Sequence, residues 1–166
     1  MPKELKIIFL ILFGLPILAF SLLVFKTSQP DPTASEIKGL ESTPPAYNLG
    51  DIPRLEGFVL KEYVLKNTTD QPMKLSRITT SCMCTKTKAI VDGKETAFFG
   101  MESQGDKNAP VNLEIKSGQE IKIIFQFDPN AHGPKGIGPI DRSVSLIFSN
   151  PKGTKELKFS GNVIEK

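Results

Sequence analysis

The chain has 166 residues and a formal net charge of +3, room for one ordinary domain plus an extra segment. Beyond residue 29, once Lys3, Glu4, Lys6 and Lys26 are set aside, 18 Lys and Arg face 17 Asp and Glu, a balance that argues against a nucleic-acid or anionic-lipid surface, either of which needs a basic cluster. The aromatic residues are mostly phenylalanine with no tryptophan, which suits a core better than a sugar-binding platform.

In chain order, the first element is IIFLILFGLPILAFSLLVF, Ile7 to Phe25, which carries no charge. As a helix it reaches about 28 Å, close to the roughly 30 Å of a bilayer's hydrocarbon core. Lys3 and Lys6 precede it, and the positive-inside rule puts the N-terminus in the cytoplasm and the rest outside. Residues 1–26 are thus expected to be a single-pass anchor in the cell membrane. The alternative is a cleaved signal peptide and a secreted domain, but such a leader has a shorter apolar region ending in small residues, and Ala19-Phe20-Ser21 is a poor version of that site.

Residues 27–46, TSQPDPTASEIKGLESTPPA, are rich in proline, serine and threonine without a sustained period. They read as a flexible linker with a root-mean-square span of about 25 Å. The other possibility is that they pack on the domain as a strand.

From residue 47 to 166 apolar residues recur at every second position, punctuated by Gly, Pro, Asn and Asp. The stretch Phe58 to Asn67 is strand-like, with an inward face that switches near Lys61 and Glu62, so a bulge is expected there. Met73 to Thr79 follows as a strand. Gly93 to Pro110 is the least regular stretch and reads as a long, partly mobile connection of the kind that is often functional. Val111, Leu113 and Ile115 share one face. Ile121, Ile123, Phe125 and Phe127 form the clearest inward set, with Ile124 the one apolar residue on the outer side, and Val144, Leu146 and Phe148, then Leu157, Phe159, Gly161 and Val163, give two more. About seven short strands with no room for helical crossovers predict an all-β, immunoglobulin-like sandwich of antiparallel strands.

The one local pattern with chemical content is Ser81-Cys82-Met83-Cys84-Thr85. In an extended strand the two cysteine α-carbons would lie about 6.5–7 Å apart, at the limit for a disulfide, so a local Cys82–Cys84 bond needs a bent backbone and would store strain. Three readings stay open: a structural pair, a thiol–disulfide element, or a soft ligand set of Cys82, Met83 and Cys84 selecting Cu(I). Zinc is disfavoured, since it wants four ligands and the exported part offers only His132 as an imidazole. His132 itself, in a turn-rich loop, reads as a solvated residue. Gly133 to Pro139 lacks the strand-to-helix context and ending of a phosphate loop.

Several motifs in order resemble the bacterial family catalogued as domain of unknown function 1573. They are the strand ending in Asn67-Thr68-Thr69-Asp70, then Ser81-Cys82-Met83-Cys84-Thr85, Ser117-Gly118-Gln119-Glu120 before a long strand, Ser149-Asn150-Pro151, and Gly161-Asn162-Val163. The resemblance implies an exported, immunoglobulin-like sandwich and no established activity. Met83 stands where that family usually has glycine, which disfavours a tight Cys82–Cys84 ring by removing easy access to positive φ.

The function expected is a non-enzymatic, membrane-tethered extracytoplasmic module that binds another envelope protein or a surface polymer and takes no cofactor. The alternative is a Cu(I)-binding or thiol-redox protein using the Cys-Met-Cys motif.

Overall fold

The computed structural model describes residues 35–165. The expected anchor at 7–25 and the first part of the expected linker lie outside the described residues. Among the described residues no helix is long and apolar enough to cross a membrane.

Among the described residues ten strands make two sheets. They are β1 (Leu40–Thr43), β2 (Ala46–Pro53), β3 (Val59–Asn67), β4 (Met73–Thr80), β5 (Thr85–Val91), β6 (Lys94–Glu95), β7 (Leu113–Ile115), β8 (Glu120–Phe127), β9 (Gly138–Asn150) and β10 (Lys152–Ile164). One sheet runs β1-β3-β8-β5-β6 and the other β2-β10-β9-β4-β7. If β1 and β2 are two halves of a first strand A, with β3, β4, β5, β8, β9 and β10 as B to G, the sheets read A-B-E-D and A-G-F-C. That is the strand order of an immunoglobulin sandwich, with β6 and β7 as short additions at the sheet edges.

The alternating residues supply the core. Ile121, Ile123, Phe125 and Phe127 from β8 meet Val144, Leu146 and Phe148 from β9 and Leu157, Phe159 and Val163 from β10, all buried. Phe125 and Phe159 stack across the sheets at 4.3 Å between ring centroids, and the Tyr63 hydroxyl donates 2.6 Å to the Lys158 carbonyl of the opposite sheet.

Three expectations are corrected. The residues read as a linker are divided, because from residue 35 onward they belong to the sandwich. Ile37 N–H bonds the Thr154 carbonyl, Leu40 is buried, β1 pairs with β3, and β2 begins at Ala46. The sandwich is also not wholly antiparallel, since β2 runs parallel to β10. Their register shifts between Ser160 and Asn162, and Gly161 sits at the shift, where a β-carbon would come within 2.8 Å of Ile52 and 3.0 Å of the Gly50 carbonyl. Finally, β3 carries no bulge: its pairing with β8 runs unbroken from Val59 opposite Phe127 to Lys66 opposite Glu120. The apparent switch of face arises because Phe58 and Leu60 are exposed apolar residues, whereas Lys61, on the same face as buried Tyr63 and Leu65, carries its ammonium out over the Tyr47 ring.

The segment 93–110 is pinned at several points. Phe99 is buried and exchanges two backbone hydrogen bonds with Thr87, and the Asn108 side chain bonds Gly100 on both its N–H and its carbonyl.

Candidate functional site

The cysteines occupy the turn between β4 and β5, where the chain crosses from one sheet to the other. The strand geometry that would hold their α-carbons apart is not adopted. Thr85 N–H bonds the Cys82 carbonyl at 3.1 Å, closing a four-residue turn, and the two α-carbons are 5.2 Å apart, inside the range a disulfide spans. Cys82 and Cys84 are joined by a disulfide. The ring closes without a left-handed residue: among the described residues the non-glycine positions at positive φ are Asp92 and Asn112, so Met83 does not need glycine's freedom. Buried Thr80 supports the turn, its hydroxyl 3.0 Å from the Cys82 carbonyl and 3.1 Å from that of Thr85.

His132 comes to the same place from the β8–β9 connection. Asp128 N–H bonds the Cys84 carbonyl at 2.8 Å and so ties the start of that loop to the cysteine turn. Asn130 bonds back to the Asp128 carboxylate and accepts 2.6 Å from Arg54, whose guanidinium also pairs with Glu165. That hydrogen bond from Arg54 holds the Glu165 carboxyl below its ordinary value. So anchored, exposed His132 places its Nε2 3.3 Å from Cys82 Sγ. The two sulfurs and an imidazole nitrogen lie within 4.8 Å of one another.

Around them is a cavity of about 420 Å³, whose walls include Cys82, Met83, Met101, His132 and Arg142. Arg142 Nε is buried and has no hydrogen-bond partner among the described residues. A wider depression of about 560 Å³ over β2 and β10 holds less chemistry, because Asp51 and Asn162 in its wall already bond each other.

Of the residues singled out in the sequence, Cys82 and Cys84 are together and buried, while Met83 is half exposed and lines the cavity. His132 is not merely a solvated loop residue, and Met101 and Arg142 were not anticipated. The sandwich topology explains the encounter: the connection from β4 to β5 and the one from β8 to β9 lie at the same end. Ser35 lies at the other end, bonded to Lys152, which pairs with Ser149 of β9, whereas Ser81 bonds Ser143, six positions before Ser149 on the same strand and about 20 Å away.

No family model matches the sequence, and no curated protein matches it. Solved structures similar to it include a protein of unknown function from Porphyromonas gingivalis W83, at 19% identity and a TM-score of 0.48 over 81% of this chain and 51% of that one. Another is the secreted serine protease VesC from Vibrio cholerae, at 12% identity and a TM-score of 0.46 over 75% of this chain and 23% of that one. A third is a family 123 glycoside hydrolase from Clostridium perfringens, at 9% identity and a TM-score of 0.45 over 72% of this chain and 23% of that one. This chain therefore spans about half the length of the first and about a quarter of the others, and likeness at this level carries no argument about activity.

Proposed function

We propose that this chain is a non-enzymatic, extracytoplasmic binding module, held at the cell membrane by the apolar segment Ile7 to Phe25, and that it binds another envelope protein or surface polymer through the end of the sandwich holding Cys82, His132 and Arg142. The observation that supports this reading is the cavity there, walled by half-exposed Met83, by Met101 and by the Arg142 side chain. A recess that combines apolar thioether surface with a few polar and charged groups is the usual form of a binding site. The order of motifs supports placing the chain with the exported family catalogued as domain of unknown function 1573.

A photo-crosslinking side chain at exposed Met83, in the full chain in intact cells, tests the reading. Crosslinks from position 83, but not from a matching probe at exposed Lys152, are expected, together with loss of the sandwich on external protease treatment. Crosslinks from Lys152 alone, or a sandwich shielded by intact cells, would overturn it.

A second reading, thiol–disulfide exchange, is favoured by one contact, His132 Nε2 at 3.3 Å from Cys82 Sγ. When an incoming thiolate attacks Cys84, an Nε2–H at that distance donates a hydrogen bond to the departing Cys82 thiolate. A dithiol then loses two electrons and two protons as its own S–S bond forms and the Cys82–Cys84 bond breaks to two thiols. Slower reduction of the His132→Ala chain by dithiothreitol is expected; an unchanged rate counts against this role.

A further inference from the structure

We infer that the dithiol form of this chain holds one Cu(I) ion between Cys82 Sγ, Cys84 Sγ and His132 Nε2. The inference rests on the thiol-exchange reading, because the disulfide must first be opened, and it goes beyond a Cys-Met-Cys ligand set by placing the imidazole as third ligand.

Three observations converge. First, the three donor atoms lie within 4.8 Å of one another although His132 is fifty positions from Cys82 in the chain. Metal–sulfur bonds of about 2.3 Å and metal–nitrogen bonds of about 2.0 Å put the ligands of a trigonal ion just under about 4 Å apart, within reach of these atoms once the sulfurs are no longer bonded to each other. The turn that sets the α-carbons 5.2 Å apart does not have to move.

Second, the cavity wall adds the thioethers of Met83 and Met101 to the cysteine and histidine. Thiolate and thioether donors favour Cu(I), and a shell with no carboxylate or further imidazole gives Zn(II) no fourth protein ligand of the kind it takes.

Third, the charges agree. Two thiolates and one monovalent ion leave a net charge of −1 in the site, and the Arg142 guanidinium stands in the same wall. Thiolate sulfur is an acceptor of the sign that guanidinium requires.

The binding step itself moves no electrons. The two thiols release two protons as their sulfurs bond to the ion, and His132 donates the lone pair of Nε2 while its other ring nitrogen keeps its hydrogen.

The full-length chain, reduced with a dithiol and freed of it without air, is titrated against Cu(I) bicinchoninate, with thiols counted and circular dichroism recorded on the same sample. Withdrawal of one Cu(I) per chain is expected, with none taken by the oxidised chain, and with at least about tenfold weaker uptake by His132→Ala at an unchanged spectrum. Because His132 is exposed, that variant separates ligation from folding; Cys82→Ser should abolish uptake. Equal affinity in His132→Ala, or Cu(I) uptake blocked by equimolar Zn(II), would overturn the assignment. Should no thiols appear after the dithiol, the exchange reading falls and this inference with it; thiols without copper uptake sink this inference alone.

Discussion

Asn67 shows how a residue noticed for one reason matters for another. In the sequence it closes a strand and opens a short motif; in the fold it is fully buried, and its amide donates to the carbonyls of Gln71, Ile115 and Lys116 while its side-chain oxygen accepts from Thr69. Asn67→Ala strands several of those groups away from water and is expected to cost about 3 kcal/mol in denaturant unfolding. Tyr63 gives a pH-dependent counterpart. Burial, with neighbouring Tyr47 adding to it, pushes its hydroxyl above the ordinary value of 10.0. The folded chain therefore keeps a proton that the unfolded chain loses, so Tyr63's contribution is intact below about pH 10 and shrinks as pH rises above it. Tyr63→Phe, which removes the 2.6 Å bond to Lys158, should cost about 1 kcal/mol at neutral pH. Comparing the two chains by urea unfolding at rising pH, the gap is expected to narrow above pH 10; a constant gap would contradict the assignment.

Among the elements, the N-terminal edge carries the clearest test. Gly153 lies against the segment that precedes β1, and a β-carbon there would collide with the Ser35 carbonyl and stand 2.9 Å from Ile37. Gly153→Ala is therefore expected to free residues 35–37, read as faster hydrogen exchange at Ile37 and Thr154, with β8 and β9 unaffected. Protection unchanged at those two amides would mean that this segment does not pack as described. Why this edge was not legible is plain from its residues. Strand β1 buries only Leu40 in four positions and sits in a proline- and serine-rich stretch, and the parallel partner of β2 is over a hundred residues away. Strand β8 was legible because it buries an unbroken alternating set, Ile121, Ile123, Phe125 and Phe127, and β9 and β10 because most of each follows the same rhythm, with Val144, Leu146 and Phe148 and with Leu157 and Phe159. The false bulge in β3 came from the same rule, misled by exposed Phe58 and Leu60.

On the scale of the whole molecule, two sheets of known order fix which connections share an end, and that is what joins Cys82 to His132. Neither loop contains a signal for the other; the Cys-x-Cys spacing was visible, whereas its histidine became visible only with the topology. The same end carries the cavity and Arg142, whereas Ser35, the first described residue, is at the other. The central claim is that this end is chemically accessible in the folded protein and not a sealed staple. The most direct measurement is mass after alkylation of the native full-length chain, treated with a dithiol and followed by circular dichroism. Two alkyl groups on Cys82 and Cys84, with the strand spectrum retained, are expected; cysteines that take up alkyl groups only once the spectrum is lost would contradict it.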